Sequence, residues 1–244
     1  MEDVLRTAMG IFVLGQDISM SRHVECVSRL DGESVKEILP YAQYVPAGGV
    51  VINAGGFIGD HATVYSQLVG ATGHVFVCEP HPISFKALEL NMARFNNVSC
   101  YNVALGMAQG PSILHEALDR GCSCIMPVGS NGVGVQRDGS EAPMPKLSTN
   151  VDILDELLLP DLFRCDLIHL DCEGTEVHVL IGAQQLLAKF HPVLVLEVGA
   201  IHLERWKLSP EQVFDFLNQQ GYCARWISAV GQGDGVYNIL ALPR

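Results

Sequence analysis

Short apolar runs alternate with longer segments of helical periodicity through most of the chain. Val50–Ile52 is a β-branched run followed by a glycine-rich turn, and the segment from Gly59 to about Val69 has the pattern of a helix. His74–Cys78 is a second apolar run, and Pro82 stands where the first turn of the next helix accepts a proline. Val98–Val103 is a third run. This alternation predicts parallel strands joined by helices on both faces of one sheet.

The second half of the chain continues this alternation and then departs from it. Its predicted elements are a strand at Leu167–Leu170, a helix over Glu176–Lys189, a strand at Val193–Leu196, a helix over Pro210–Gln219, and strands at Cys223–Ile227 and Val236–Leu242. The last two runs are separated by a glycine-rich stretch that is short for a crossover helix and long enough for a hairpin. The sequence therefore predicts a mostly parallel sheet that ends in an antiparallel hairpin.

Two regions fall outside this pattern. Residues 1 to about 45 contain an apolar segment at Ala8–Gly15, which we predict to be a strand, and a helix through Ser34–Leu39 that ends at Pro40. Residues 107–150 are rich in glycine and proline without sustained periodicity, and loops of that length are usually functional or disordered. We interpret these regions as an N-terminal cap and a substrate-side loop, with disorder as the alternative for the loop, in one domain spanning 1–244.

Composition and charge exclude several classes of protein. The chain has 244 residues, of which 48% are hydrophobic and 17% charged, so it can bury a single sizeable core. With a net charge of −12 and no basic run, it is not expected to bind nucleic acid. The apolar stretches are interrupted before the roughly 18 residues of a membrane span, and Glu2 and Asp3 stand where a secretory signal carries positive charge. We expect a cytoplasmic protein without a membrane partner.

The cysteines support the same location. Eight of them are scattered without a CxxC pair or a metal-ligand spacing, and several lie in apolar runs. Buried cysteines in such runs behave as small hydrophobic residues, and cytoplasmic thiols stay reduced. We therefore predict reduced thiols in preference to a disulfide framework.

The residues directly after the predicted strands carry the candidate chemistry. In a doubly wound sheet, ligands bind at the carboxyl ends of the strands near the switch in strand order. Asn53–Gly59 follows the first strand, and its glycines let the backbone approach a ligand, although a tight strand-to-helix turn needs glycine in any case. Glu79 follows the second strand and can accept both hydroxyls of a ribose. The alternative for Glu79 is a solvated acid at a strand end.

Three more carboxylates follow later strands. Asp171 and Glu173 come after the fourth strand and Glu197 after the fifth, so all three should converge on the edge that carries Glu79. A convergent acidic group suggests a cationic ligand or proton transfer. The alternative is that Glu173 or Glu197 caps a helix or pairs with a basic residue. His169 precedes them within the strand, and alternation along that strand also allows it to pack, buried and hydrogen-bonded, against a helix.

These motifs, in this order and spacing, resemble those of the FkbM family of S-adenosylmethionine-dependent methyltransferases. The resemblance covers about residues 45–200 and is carried by Val50–Gly59, Val77–Pro82, Asn102–Gly106, Val151–Asp155, Ile168–Gly174 and Pro192–Glu197. It implies an α/β fold of the class I methyltransferase type, a Rossmann-like sheet of order 3-2-1-4-5-7-6 with strand seven antiparallel. It also implies S-adenosylmethionine as cofactor and S-adenosylhomocysteine as product. The family mostly methylates hydroxyl oxygens of macrolides, sugars and other small molecules.

The resemblance assigns roles to individual residues. It implies that Asn53, Gly55 and Gly59 line the methionine moiety, Glu79 holds the ribose hydroxyls, Ala104 lies near adenine, and Asp171 faces the methyl-transfer centre. The chain departs from the family pattern where Asn53 replaces an aspartate, Phe57 replaces an amide and His169 replaces a lysine. Asn53 loses the charge that strengthens a hydrogen bond to an ammonium. An inactive paralogue that binds the cofactor is therefore an alternative function.

Methyl transfer to an alcohol also needs a base. The reaction is an in-line displacement at a sulfonium, so the protein aligns the acceptor and removes its proton. We take Asp171 as the first candidate for the base; the others are Glu173, Glu197, His169 and His202. Acids in this arrangement also resemble those with which catechol-type methyltransferases hold Mg²⁺, but we do not expect a required metal.

We predict O-methylation of a small hydroxylated acceptor, and neither the identity of that acceptor nor the oligomeric state follows from the sequence. A nicotinamide-dependent epimerase or reductase is a remote alternative, because Ala54–Gly59 resembles its glycine turn. The chain lacks the Tyr-x-x-x-Lys pair of that class.

Overall fold

The computed structural model describes residues 4–7, 11–15, 27, 33–135, 140–230 and 235–244. In chain order its strands are β1 (Val4–Arg6), β2 (Phe12–Leu14), β3 (Val50–Ala54), β4 (His74–Cys78), β5 (Val98–Tyr101), β6 (Ala104–Leu105), β7 (Gly110–His115), β8 (Cys124–Ile125), β9 (Val133–Val135), β10 (Glu141–Pro143), β11 (Lys146–Asp152), β12 (Leu167–Leu170), β13 (Val193–Gly199), β14 (Tyr222–Val230) and β15 (Val236–Pro243). Its helices are α1 (Glu33–Ile38), α2 (Asp60–Val69), α3 (Pro82–Met92), α4 (Leu154–Leu157), α5 (Glu176–Ile181), α6 (Gln184–Phe190), α7 (Ala200–Glu204) and α8 (Pro210–Gln219).

Seven of these strands form the central sheet, in the order β5-β4-β3-β12-β13-β15-β14. β15 is antiparallel to both of its neighbours, and the other pairs are parallel. Numbered along the chain, this is the order 3-2-1-4-5-7-6 with an antiparallel seventh strand. The strand order switches direction between β3 and β12, so the carboxyl ends of these two strands mark the place where a ligand is expected.

Both faces of the sheet are covered, which explains why its central strands are continuously apolar. All five residues of β3 and all four of β12 are buried. Ile52, Ile168 and Leu196 face one layer of apolar side chains, which includes Val179 and Leu186. Val51, Leu167 and Val195 face the other layer, which includes Tyr41, Tyr65 and Val69. The sheet is therefore a rigid platform, and its carboxyl edge holds side chains in fixed positions.

One predicted helix is interrupted. The segment Glu176–Lys189 forms two helices, α5 and α6, separated by Gly182 and Ala183. A Cβ atom on Gly182 would lie 2.1 Å from the carbonyl oxygen of Gly106, so the backbones approach too closely for any side chain. The prediction of one continuous helix is wrong at this point, because it used apolar periodicity alone.

The predicted loop over residues 107–150 contains five β-strand segments among the residues that the structure describes. β6, β7, β8 and β11 form a second sheet of order β6-β11-β7-β8, while β9 and β10 pair with each other. β7 pairs with β11 from Gly110 opposite Val151 to His115 opposite Lys146. The expectation of an irregular loop is therefore wrong for the residues described. Their sequences, GPSILH and KLSTNVD, contain few apolar residues, so neither has a hydrophobic pattern that would predict the pairing.

The N-terminal segment packs beside the sheet. β2 lies within the strand predicted at Ala8–Gly15, of which residues 8–10 fall outside the described part of the chain. The Asn91 side chain of α3 holds it, accepting from Phe12 N at 2.8 Å and donating to Phe12 O at 2.9 Å. α1 corresponds to the helix predicted through Ser34–Leu39. None of the helices that the structure describes has the length and apolarity required of a membrane span.

Candidate functional site

A cavity opens at the carboxyl ends of β3, β4, β12 and β13. Its wall includes residues of the turn after β3, the acids that follow β4 and β12, Glu197 near the end of β13, and two contributions from outside the sheet. Glu37 comes from the N-terminal segment, and residues 119–123 come from the connection between β7 and β8 of the second sheet. The cavity therefore lies where the topology places a ligand, and both flanking regions help to enclose it.

Glycine shapes the floor of the cavity. Gly55 has a φ of +84°, and a Cβ atom there would lie 1.8 Å from the backbone oxygen of Asp171. Gly59 has a φ of +100°, directly before α2, and its Cβ would lie 2.5 Å from Cε of Met92. Glycine is therefore required at both positions by backbone conformation and close packing. Gly55 lines the cavity, whereas Gly59 is outside the lining.

Glu79 is held rigidly in the cavity wall. It is 6% exposed, and its two carboxylate oxygens accept hydrogen bonds of 2.8 Å from the backbone N–H groups of Phe57 and His81. Burial raises the pKa of Glu79 to about 8, against the effect of the two hydrogen bonds. Each oxygen keeps a further lone pair, so this carboxylate can still accept hydroxyl donors. Its position and chemistry fit a ribose diol.

Asp171, Glu173 and Glu197 come together as the sequence predicts. Each offers a carboxylate oxygen, and these oxygens lie within 4.8 Å of one another. Burial raises the pKa of Glu197 to about 10, and repulsion from Asp171 and Glu173 adds to the effect. Burial, followed by the charge of Asp171, likewise raises the pKa of Glu173 well above its ordinary value. The group is suited to a positive charge, either a cationic ligand or a metal ion.

His202 contacts this group from α7. Its Nδ1 lies 3.1 Å from Oε2 of Glu173. Burial, with the nearby charge of Arg205, lowers the pKa of His202 to about 4, so its imidazole is neutral at neutral pH. His202 therefore lies beside Glu173 without a hydrogen bond to Oε2, and it is not in the cavity lining.

His169 lies away from the cavity wall. It is buried on the sheet face that packs against α2, where its Nδ1 is 2.9 Å from the hydroxyl oxygen of Tyr65. Burial lowers the pKa of His169 well below its ordinary value. Alternation along β12 directs His169 to α2, which is the buried, hydrogen-bonded position considered above as the alternative. The structure therefore does not place His169 where a base would contact an acceptor in the cavity.

Asn53 also points away from the cavity wall. It is fully buried on β3, in register with Val77 and His169, and neither of its amide atoms has a hydrogen-bond partner among the described residues. The structure thus brings together Gly55, Glu79, Ala104, Asp171, Glu173 and Glu197, but leaves Asn53, Gly59 and His169 outside the lining. Ala104 lies between Val103 and Leu105, and the three form an apolar part of the wall that suits a flat base.

Sequence reasoning missed several residues of the wall, and two of them, His61 and Glu37, contact each other. Nε2 of His61 lies 2.9 Å from Oε2 of Glu37. His61 could have been found, because it begins the helix after the glycine turn and therefore lies near the carboxyl edge of the sheet. Glu37 had no comparable signal, because it reaches the cavity only through the packing of α1.

The fold and site define a class: a Rossmann-like nucleoside-binding sheet with the antiparallel seventh strand of class I methyltransferases. A family model described as the methyltransferase FkbM domain matches residues 53–223, and the chain belongs to that family. The family is one of S-adenosylmethionine-dependent methyltransferases, which removes the nicotinamide-dependent alternative.

Comparison with known proteins is consistent with this fold. The methyltransferase FkbM of Methylobacillus flagellatus KT has a TM-score of 0.54 at 12% identity, over 91% of this chain and 58% of that one. Fibrillarin of Aeropyrum pernix, solved with bound S-adenosyl-L-methionine, has a TM-score of 0.50 at 11% identity, over 81% and 67%. A protein-L-isoaspartate O-methyltransferase of Methanothrix thermoacetophila is 32% identical over 102 residues, which is 34% of this chain and 49% of that protein. The chain thus spans about half the length of this curated relative.

Proposed function

We propose that this protein transfers a methyl group from S-adenosylmethionine to a hydroxyl oxygen of a small molecule. The observation that carries the proposal is the presence, in one cavity, of Glu79 together with Asp171, Glu173 and Glu197. S-adenosylmethionine supplies a methyl group on a sulfonium and leaves as S-adenosylhomocysteine. The protein binds the nucleoside, aligns the acceptor with the methyl group and removes a proton from the acceptor.

Binding of the nucleoside follows from the wall of the cavity. Glu79 accepts the ribose hydroxyls, since its carboxylate is fixed by two backbone N–H groups. Ala104 and its apolar neighbours cover the adenine. Gly55 brings the backbone close to the ligand, and the carboxylate of Asp171 attracts its positive charge. These residues accommodate the cofactor without a contact from Asn53, so the protein tolerates Asn53 in place of the family's charged aspartate.

Asp171 is the base in this proposal. Burial and the charge of Asp171 raise the pKa of Glu197 to about 10, so Glu197 is protonated at neutral pH and is a poor base there. The same two causes raise the pKa of Glu173. His169 is bonded to Tyr65 outside the cavity. Asp171 remains, at the end of β12 and in the cavity wall, and takes the proton of the acceptor hydroxyl. Glu197 can then hydrogen-bond the acceptor as a neutral acid.

The acceptor pocket is built by the two regions outside the sheet. Glu37 of the N-terminal cap and residues 119–123 of the insert line the same cavity as Glu79 and Asp171. Two walls that close on one cavity suit a small acceptor in preference to a macromolecule. The net charge of −12 also disfavours nucleic acid.

We place this activity in the cytoplasm, since the seven cysteines in the described residues are free thiols.

Mass spectrometry tests the proposal. The full chain is incubated with S-adenosylmethionine and a panel of sugars, phenols and aliphatic alcohols, with one amine and one carboxylic acid included, and products are examined for one added methylene. We expect a methylated alcohol or phenol from the wild type and from Glu89→Ala, which removes an exposed acid outside the cavity wall. Asp171→Asn should abolish most of that product. Tight cofactor binding without transfer to any compound would favour the binding-only alternative, and transfer to the amine or acid alone would exclude O-methylation of a hydroxyl.

A further inference from the structure

His61 and Glu37 form a pair that the mechanism above leaves without a role. Both residues line the cavity, and Nε2 of His61 lies 2.9 Å from Oε2 of Glu37. The side chain of His61 is 10% exposed, and that of Glu37 is 27% exposed. The pair therefore joins the beginning of α2 to the N-terminal segment within the cavity wall.

The ring of His61 is fixed and presents one uncommitted nitrogen. Glu37 engages Nε2, while the centroid of the ring lies 4.8 Å from that of His169. His169 is itself anchored to Tyr65, so the imidazole of His61 rests on a rigid surface. Among the described residues, Nδ1 of His61 has no hydrogen-bond partner. A buried ring that lines a cavity and keeps one nitrogen available is suited to bind what enters it.

The charge of His61 determines what it can bind. Burial alone would lower its pKa, but the hydrogen bond to Glu37 and the charges of Asp60 and Asp171 outweigh burial and raise the pKa of His61 to about 9. At neutral pH both ring nitrogens therefore carry hydrogen, and Nδ1–H is a donor. Asp171, the proposed base, is thus close enough for its charge to raise the pKa of His61.

A hydrogen-bond donor at this position suits only one of the oxygens of a hydroxylated acceptor. The oxygen that attacks the methyl carbon must offer its lone pair to that carbon, and a hydrogen bond from a cation would weaken it as a nucleophile. A second oxygen on the neighbouring carbon can accept the same hydrogen bond without that cost, and a charge-assisted bond is a strong contact.

We propose that His61 binds the acceptor, donating from Nδ1–H to an oxygen next to the hydroxyl that is methylated. Glu37 is a positioning residue that holds the imidazole through Nε2. The inference rests on the proposed function and deepens it, because it makes the acceptor a vicinal diol or a catechol. It also gives the N-terminal segment a share in substrate selection.

Matched acceptors test this inference without turnover. Binding to the full chain saturated with S-adenosylhomocysteine is measured by calorimetry for two pairs: catechol with phenol, and methyl glucoside with its 2-deoxy analogue. We expect wild type to bind the diol of at least one pair about tenfold more tightly than its partner, and His61→Gln to remove most of that difference. Glu37→Gln should weaken the preference less, whereas Glu89→Gln should preserve it. The affinity for S-adenosylhomocysteine should stay within about twofold in all variants.

A pH series separates a binding role from a structural one. The sugar diol does not titrate near pH 9, so its affinity should fall as His61 loses its proton there, and this fall should be absent in His61→Gln. Equal binding of diol and deoxy compound by wild type, or a preference that survives His61→Gln, would overturn the inference while leaving the proposed function intact. A protein that binds S-adenosylhomocysteine but neither binds nor methylates any of these compounds or the panel would overturn both.

Discussion

The carboxylate of Glu79 accepts a hydrogen bond of 2.8 Å from the backbone N–H of Phe57. This bond joins the acid that follows β4 to the glycine turn that follows β3. Phe57 has a φ of +45°, an uncommon conformation for a residue with a side chain. The turn and the acid therefore form one unit, in which the backbone conformation of the turn fixes the orientation of the carboxylate.

Removal of this carboxylate should weaken cofactor binding. We expect Glu79→Ala to raise the dissociation constant of S-adenosylmethionine by about tenfold or more, because a charge-assisted pair of hydrogen bonds to the ribose is lost. Calorimetry measures the constant, and thermal unfolding of the same variant shows whether the turn survives. An unchanged constant in a folded variant would remove Glu79 from the site.

Cofactor affinity should depend on pH through the same residue. The pKa of Glu79 is raised to about 8 by burial, so at lower pH the empty site holds a proton on this carboxyl. Ribose hydroxyls and a cationic ligand favour the ionised form, so affinity should increase as pH rises towards about 8, with release of a proton on binding. Glu79→Gln should remove this contribution. Affinity that falls over this range in the wild type would contradict the assignment.

The stability of the empty protein should respond in the opposite direction. A buried acid whose pKa is raised on folding binds its proton more tightly in the folded state than in the unfolded chain. For Glu79 this stabilisation is fully present below the ordinary pKa of 4.5 and is lost as pH rises through about 8. Urea unfolding across this range, compared between wild type and Glu79→Gln, measures the contribution. A wild-type advantage that grows with pH would have the wrong sign.

Asp171→Asn should separate chemistry from binding. The amide keeps the shape of the side chain but cannot accept the acceptor proton, so turnover should fall by about a hundredfold or more with a much smaller change in cofactor affinity. Single-turnover kinetics and calorimetry on one preparation give both quantities. Equal losses in both would make Asp171 a cofactor ligand instead of a base.

Gly55→Ala tests the close approach of the turn to β12. A Cβ atom at this position would lie 1.8 Å from the backbone oxygen of Asp171, in a residue whose φ is +84°. Gly70→Ala is the matched control, because Gly70 has a φ of +66° and open space around it. We expect the control to lose about 1–3 kcal/mol from backbone strain and Gly55→Ala to lose clearly more, or not to fold. If urea unfolding gives similar losses of unfolding free energy for the two variants, the close approach of Gly55 to Asp171 is unimportant for stability.

The sequence predicted those parts of the site that depend on local pattern and general topology. β3, β4 and β12 were found from their apolar runs, and Glu79, Asp171 and Glu197 followed because parallel strands share a carboxyl edge. His169 stayed ambiguous because its strand is buried on both faces, so hydrophobicity does not identify the face of each residue. The pairing of β7 with β11 and the contact of Glu37 with His61 are tertiary, and short polar segments carry no periodic signal for them.

The central claim is that these strand-end acids surround one sulfonium nucleoside. A crystal structure of the protein with S-adenosylmethionine or S-adenosylhomocysteine tests it most directly. We predict that both ribose hydroxyls lie within hydrogen-bond distance of the Glu79 carboxylate, with the sulfur beside Asp171 and the adenine against Ala104. A nucleoside bound elsewhere, or a ribose remote from Glu79, would contradict the account.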